Sequence, residues 1–526
     1  MYYNCLAAVL SAPDIAVIVI YFAAMAVFAF YWGRRNKNTE DYFLGGRSVP
    51  GWAVGLSLIG TSISSISFLA LPAAAFALDW RLLVANYAVI IGFVVAIIVF
   101  VPLFRALPYT TAYEFLEDRL GRFSRLYCSI TFMIFQLLRL GTVLFLVSVT
   151  ISFLLDVPIH WVIILGGLFI LLYTVFGGIE VVIWTDVVQT IVLWGGAVVV
   201  FIYVAIEMPD GIAAGLGRAH DAGKFSLGEF KWDMAERTFW TMLFIGAFDA
   251  IANNASNQTV VQRYIAASST REARKAVGYS MLAIPTWTFF YLVGTSLWAL
   301  YTVLPDPALA TMTPEEIVPY FTVNYLPVGV VGLIVAAVMA ASMSSLDSSI
   351  NAISTTATTD ILRRYVIPKA NERAFLFWAK GISAFTGATM IGIALVIATL
   401  ERESIVDLTR QIASIFGGVV GGIFLLAIFV KRVGPKALLI ALPIALSVKI
   451  YYAMGLADWY PESWRLPFHT YWVGVVSNTT LMVFAYAFSF IWPSHRITNR
   501  GKDAGSDAGT AAADATPPNR SASEQD

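Results

Sequence analysis

Charge is scarce in this chain: Asp, Glu, Lys and Arg make up 13% of the 526 residues, about half the fraction usual in a soluble domain. The formal net charge is zero, so no overall field points to nucleic acid or to an acidic partner. Cysteine is scarcer still. Cys5 and Cys128 are the only two, which excludes a disulfide framework or a cysteine metal cluster. The four histidines, His160, His220, His469 and His495, share no helix face, so a metal centre or proton relay built on them is not expected. The loops hold no nucleotide-binding motif, no triad-like Ser/His pairing and no metal cluster, so an enzyme is not expected either. No basic region precedes the first apolar run, which argues against a cleaved leader.

Apolar sequence is what the chain has in abundance, at 58% of residues. Runs longer than the ~20 residues needed to cross a bilayer recur along almost its whole length. Segments of about ten alternating residues, the mark of a membrane β-barrel, are not found. The pattern predicts an all-α integral membrane protein with thirteen spans, at residues 15–32, 49–78, 82–104, 126–155, 158–176, 180–206, 238–255, 276–303, 327–356, 374–400, 405–430, 437–454 and 468–492.

Basic residues set the orientation. Arg34, Arg35, Lys37 and Arg47 follow the first span, Arg105, Arg119, Arg122 and Arg125 the third, and Arg263, Arg271, Arg274 and Lys275 the seventh. Further groups follow the ninth, eleventh and last spans: Arg363, Arg364, Lys369 and Arg373; Lys431, Arg432 and Lys436; Arg496, Arg500 and Lys502. All fall on one parity, which places these loops in the cytoplasm, the N-terminus outside and the C-terminus inside. After Pro493 the apolar pattern stops, and 493–526 reads as a disordered cytoplasmic tail too short for a signalling domain.

Polar clusters inside spans are costly in lipid and therefore mark function. In the second span Gly60 lies among Ser57, Thr61, Ser62, Ser64, Ser65 and Ser67, with Pro72 following. That sequence fits an interrupted helix whose freed carbonyls bind a cation, and fits equally a contact of small residues between helices. The ninth span weighs toward the first reading. There Ala341, Ser344, Ser345 and Ser348 share one helical face, and Asp347 lies within the same turn. A hard cation such as sodium needs several oxygen ligands with little competing charge. The sixth span carries Asp186 with no Lys or Arg near it in sequence. Asp186 should be paired, protonated or cation-bound, unless it is simply a carboxylate favoured by a helix N-terminus. A second polar break, residues 251–258, ends the seventh span. Interrupted spans five apart and opposite in direction are the signature of an inverted-repeat transporter with its site at the midplane.

The chain resembles the sodium:solute symporter family in residues 42–55, in Gly177-Gly through Trp184-Thr-Asp-Val-Val-Gln189, in Asn257-Gln through Gln262-Arg263, and in Leu326-Pro-Val-Gly329 through Ser344-Ser345. The resemblance runs from about Tyr42 to Val430. It implies a leucine-transporter-like five-plus-five inverted repeat at 49–430 (repeats 49–206 and 238–430). An extra helix and loop at 1–48 would precede it, and two helices at 431–492 would follow. It further implies a principal sodium site made by the carbonyls of Gly60, Ile63 and Ala341 and the hydroxyls of Ser344 and Ser345. A second cation site would match Asp186, Asp347 and Ser348. Asp347 stands where a small residue is usual, so a proton shared between Asp186 and Asp347 is the alternative to a second sodium.

The pocket pattern is most similar to bacterial sodium/sialic acid symporters. That similarity implies a solute site lined by Ser62, Ser64, Ser67, Asn86 and Arg139, whereas the residues typical of a galactose site are not matched by Ser67 and Asn86. Sodium-coupled import of a small polar solute across a bacterial inner membrane is therefore expected, with one or two sodium ions as coupling ions. The solute would carry a carboxylate, as a sialic acid, uronic acid or other organic acid does. If Arg139 is instead structural, paired with Asp79 or with another helix, a sugar or an amino acid is the alternative solute. A channel is the alternative class, and the opposed broken helices favour alternating access over it.

Overall fold

The computed structural model describes residues 11–33, 38–63, 65–399, 419–455 and 459–494, without the side chains of residues 65 and 66. Among them the regular structure is helical, with only two isolated β-bridges. Eight helices are long and apolar enough to span a bilayer, and a bent pair makes a ninth candidate.

The chain opens with α1 (Ala12–Gly33) and the short α2 (Thr39–Leu44). Asn38 caps α2 by accepting from the Asp41 N–H, and Gly45 ends it in the left-handed region. The second predicted span is two helices, α3 (Gly51–Ser62) and α4 (Ser65–Ala77), bent by 57° at the break. Next come α5 (Leu83–Arg105), α6 (Ala112–Leu120) and α7 (Arg122–Leu155).

The predicted fifth and sixth spans form one continuous element, α8 (Ile159–Glu207), with Gly178 non-helical at φ 64°. At ~1.5 Å per residue, 49 residues would overrun a bilayer twofold if straight. Contacts with α1 show that the chain doubles back instead. Phe22 packs on Phe169 before the turn, while Trp32 stacks on Trp184 and Met25 meets Gln189 after it. Only glycine adopts that φ without strain, so the Gly177-Gly178 motif is the hairpin between two spans.

The rest comprises α9 (Ile212–Asp221), α10 (Phe239–Ser256), α11 (Gln258–Ala266), α12 (Thr270–Val303), α13 (Ile317–Tyr325), α14 (Val330–Val366), α15 (Glu372–Thr399), α16 (Val420–Phe429), α17 (Pro435–Met454) and α18 (Trp472–Phe488). The predicted break of the seventh span is real: α10 and α11 meet at Asn257, whose side chain caps α11 by accepting from the Thr259 N–H. Residues 400–418, and with them the start of the predicted eleventh span, lie outside the described residues, as do Cys5 and the tail from 495.

The bundle is built around α14. In its most apolar window 89% of residues are buried, against 17% for α1, so α14 is the axis and α1 an outer helix. Asp14 fastens the two together, its Oδ1 accepting from the Gly329 and Gly332 N–H groups at 2.8 Å each. At the far end of α14, fully buried Asp360 accepts from Thr111, Ser129 and both Nε and Nη2 of Arg125 at 2.6–2.9 Å. Arg125 is therefore no mere marker of a cytoplasmic loop, since it is buried and also reaches Glu117 at 2.7 Å. Burial pushes the Glu117 carboxyl upward, but Arg125 and Arg364 together hold it below the usual carboxylate range.

Asp360→Ala would leave Arg125 with Glu117 alone. The expected loss lies at the lower end of the ~3–5 kcal/mol seen when one partner of a buried pair is removed. Thermal unfolding in detergent should show a clearly lowered Tm, and an unchanged Tm would show that the pair does not hold α7 to α14.

Candidate ion and solute sites

The helix break in the second span exposes the backbone that the sequence pattern singled out. α3 stops at Ser62 because Ile63 turns extended (φ −107°, ψ 97°); the Ile63 N–H is the closing cap, shared between Ile59 O and Gly60 O, so the carbonyls at this end keep capacity for side-chain donors. Two hydroxyls of α14 meet them. Ser344 Oγ donates to Gly60 O at 2.9 Å and lies 3.2 Å from Ala341 O, and Ser345 Oγ donates to Thr61 O at 3.3 Å. Gly60, Ala341, Ser344 and Ser345 thus converge, with Ile63 fully buried at the break. Gly60 is needed for the approach, since a Cβ there would sit 2.7 Å from Thr190 Oγ1 on α8. The assembled donors are neutral oxygens, the set that suits a hard monovalent cation.

One turn further along α14, Asp186, Asp347 and Ser348 also lie close together, but a residue from α11 holds them. Arg263 is 1% exposed, so it is not the loop residue that the positive-inside pattern suggested. Its Nη2 donates to Asp186 Oδ2 at 2.8 Å and to Ser348 Oγ at 2.6 Å, its Nε to Ser57 Oγ at 2.7 Å, and its Nη1 to Thr259 O at 2.7 Å. Ser57 in turn donates to Asp186 Oδ2 at 2.5 Å. The partner that local sequence did not offer Asp186 therefore comes from 77 residues away. Asp347 accepts from Tyr173 Oη at 2.6 Å and from the Ser348 N–H at 2.5 Å. Asp186 Oδ1 and, a turn along the same face, Gln189 Oε1 are buried without a donor.

The expected solute residues are less tightly grouped. Ser62 is exposed and donates to Ile59 O at 2.7 Å, Ser67 and Asn86 are half-buried, and Ser64 lies outside the described residues. Arg139 is the informative one. The lipid-facing positions of α7 are the exposed Phe123, Leu126, Ile130 and Ile134, on the side of the helix opposite Arg139. Its flanking neighbours Phe132, Gln136 and Val143 are buried, yet Arg139 itself is accessible. It therefore looks into an open space within the protein. Asp79, the suggested partner, is taken by Arg81 at 2.7 Å, and Arg139 makes no ion pair or hydrogen bond with the other described residues.

The sodium:solute symporter family profile matches residues 42–443. The chain belongs to that family. It is 34% identical to the sodium/sialic acid symporter SiaT of Proteus mirabilis over 79% of this chain and 84% of that one. It is 30% identical to the sodium/sialic acid symporter NanT of Aliivibrio fischeri over 89% and 90%. The substrate-bound outward-open structure of a sodium-coupled sialic acid symporter superimposes with a TM-score of 0.84 at 30% identity, covering 91% of this chain and 98% of that one. Mhp1, a nucleobase-cation-symport-1 transporter, shares the fold at 17% identity and a TM-score of 0.51, covering 85% and 93%. This symporter is thus a sodium-coupled carrier rather than an enzyme.

Sequence reasoning missed Arg263, Tyr173 and Thr61 as site residues. For Arg263 the signal was present: it falls within the quoted Asn257–Arg263 motif, one short helix beyond the break. Arg263→Met should destabilise the symporter by about 3–5 kcal/mol by stranding Asp186. Adding Asp186→Leu should restore most of the loss, because removing both partners is far cheaper than removing one. Unfolding midpoints of the two variants in detergent measure the difference, and equal losses would deny that the pair is one unit.

Proposed function

We propose that this symporter imports a small carboxylate-bearing solute across a bacterial inner membrane by alternating access, driven by sodium bound between α3 and α14. The supporting topology has thirteen spans with the N-terminus outside. The described helices and their two breaks fit an inverted repeat at 49–206 and 238–430, with 1–48 and 431–492 as additions.

The observation that carries the reading is the meeting of the Ser344 and Ser345 hydroxyls with the α3 carbonyls at the helix break. With the hydroxyl O–H groups turned aside, sodium held by the Ser344 and Ser345 oxygens and the α3 carbonyls would tie α14 to α3. Gly60, Ile63, Ala341, Ser344 and Ser345 would make the principal site. For a second cation, fully buried Asp186 is paired with Arg263, whereas Asp347, bonded to Tyr173 and the Ser348 N–H, has no ion pair among the described residues, so a second sodium, or a proton shared with Asp186, would balance its charge. Asp186, Asp347 and Ser348 would be its ligands.

For the solute, Arg139 offers a planar fork that takes a carboxylate through two parallel hydrogen bonds. The sialic acid symporters similar to this chain carry solutes of that class by name. Ser62, Ser64, Ser67 and Asn86 would meet the hydroxyls of the remainder. A channel would pass solute without a fixed ratio to sodium, so a constant coupling ratio in proteoliposomes excludes one.

Ser345→Ala removes a ligand without adding charge, so sodium-driven uptake should vanish while folded protein stays in the membrane. Wild-type sodium dependence in that variant would reject the principal site. Arg139→Lys keeps the charge but loses the fork, and should raise KM for an acid solute by roughly tenfold or more, about the worth of one charge-assisted hydrogen bond. Arg139→Ala should abolish uptake of the acid while leaving solute-free sodium binding intact. Full transport of the acid by Arg139→Ala would show the arginine to be structural.

A further inference from the structure

The hydroxyl row on α14 does not end beside the α3 break. Beyond Ser344 it continues through Ser348, Asn351, Thr355 and Thr358, spaced three or four residues apart and all buried, so they form one stripe along the helix. At the far end Thr358 and Thr359 line a cavity of about 440 Å³ whose other walls include Phe43, Arg47, Thr110 and Arg363. Arg363 is exposed and belongs to one of the basic groups that set the orientation. On the proposed topology the stripe therefore leads from the α3 break to the cytoplasmic face.

The short helix α11 covers this stripe. Arg263 Nη2 donates to Ser348 Oγ at 2.6 Å, and the buried Gln262 Nε2 lies 2.7 Å from Asn351 Oδ1, 2.9 Å from Thr355 Oγ1 and 2.6 Å from Phe43 O. Two N–H groups thus serve three acceptors, on α2 and α14. Because Phe43 is itself a wall of the cavity, Gln262 closes the gap between that wall and α14. The ends of α11 are fastened elsewhere. Gln258 Oε1 accepts from the Ala112 N–H at 2.8 Å and its Nε2 donates to Thr110 O at 3.1 Å, while Val49, two residues before α3, bridges to Ala266 O and the Ser268 N–H. The Gln262 bonds are neutral and exchange for water at far lower cost than an ion pair. Two groups of the stripe are already unserved: Asn351 Nδ2 and Thr358 Oγ1 are buried without a partner, where buried polar atoms are normally satisfied. Water reaching the stripe would meet both.

We propose that Gln262 is the latch on a cytoplasmic release route for the coupling sodium, which rests on the reading of an ion held between α3 and α14. When the Gln262 amide leaves Asn351 and Thr355, α11 lifts from α14 and water enters from the cavity. The ion then leaves along Ser348, Asn351, Thr355 and Thr358, whose oxygens replace its lost ligands in turn. The Val49 bridge and the Arg263–Ser57 bond carry α3 with α11. Opening the stripe therefore loosens the α3 side of the ion site, and sodium bound there holds the latch shut.

The test is thiol labelling from the cytoplasmic side. Ala352, fully buried on α14 beside Ser348 and Thr355, is replaced by the reporter Ala352→Cys in a Cys5→Ser/Cys128→Ala background, and inside-out vesicles are treated with a membrane-impermeant thiol reagent. Labelling should be slow, and slower still with sodium. Gln262→Met keeps the length of the side chain and removes both donors. It should raise the rate about tenfold or more, the shift expected from losing one or two hydrogen bonds, and weaken the protection by sodium. Thr355→Val removes a single acceptor, should raise the rate less, and carries the test if Gln262→Met does not fold. An unchanged rate in Gln262→Met, or in Thr355→Val where Gln262→Met fails to fold, overturns the proposal. So does an equal rise in right-side-out vesicles, which would mark general loosening rather than a route to one side. Ser345→Ala separates the latch from the ion reading: if sodium still protects in that variant while Gln262→Met still speeds labelling, the ion site has been misplaced and the latch stands.

Discussion

The Arg263 guanidinium, enclosed where α3, α8, α11 and α14 meet, constrains everything around it. Taking an ion pair out of water costs several kcal/mol per ion and is tolerable only when its protons find acceptors. Here four of the five N–H groups do, through Ser57, Thr259, Asp186 and Ser348. Each acceptor belongs to a different helix apart from Thr259, which lies on α11 itself. None of the four can shift by an ångström without leaving a buried donor or carboxylate unmet. The proposed principal ion site is one turn away on the same α14, because Ser348 Oγ, while accepting from Arg263, donates to Ser344 O at 2.6 Å. A movement of α3 that opened the ion site would therefore pull on Ser57, and so on Arg263.

Two glycines make this junction sterically possible. Gly60 lets α3 lie against α8 at Thr190, and Gly178 folds α8 back so that Tyr173, before the turn, reaches Asp347 on α14 and Asp186, after it, reaches Arg263. The same economy explains why the interior is rich in Ser, Thr and Ala. In lipid, helices gain little from burying apolar surface against one another, so close backbone approach and hydroxyl hydrogen bonds must supply the association.

The all-helical, multi-span character, the two breaks and the hydroxyl face of α14 were legible in the sequence because each is a local property: hydrophobic length, a run of small polar residues, a period of three to four. The partners were not. Asp186 was recognisable as a carboxylate needing compensation, but Arg263, 77 residues on, read as a loop cation because a run of basic residues follows it. Arg125 was misread in the same way, and its counter-ion Asp360 is 235 residues distant. Arg139 differs again. Its setting becomes visible only when exposure is compared around α7: an accessible charge opposite the exposed apolar side marks an internal space, which no sequence window can distinguish from a buried pair.

Electrostatics then limits how such a carrier can be powered. Each elementary charge crossing ~100 mV is worth about 2.3 kcal/mol. A monoanion entering with one sodium ion moves no net charge and draws nothing from the membrane potential, so only the sodium gradient drives it. A second cation restores one net positive charge and with it the voltage term. Asp347, buried one turn from Ser344 and bonded to Tyr173 and the Ser348 N–H while Asp186 takes Arg263, would be the negative charge that such a cation neutralises. A carrier of neutral solutes would gain the voltage term from a single ion and would have less need to bury that extra carboxylate. On the proposed assignments, the Asp347 carboxylate would serve a second cation as the Arg139 guanidinium would serve the carboxylate of the solute, each a charge inside the bundle that its ligand neutralises.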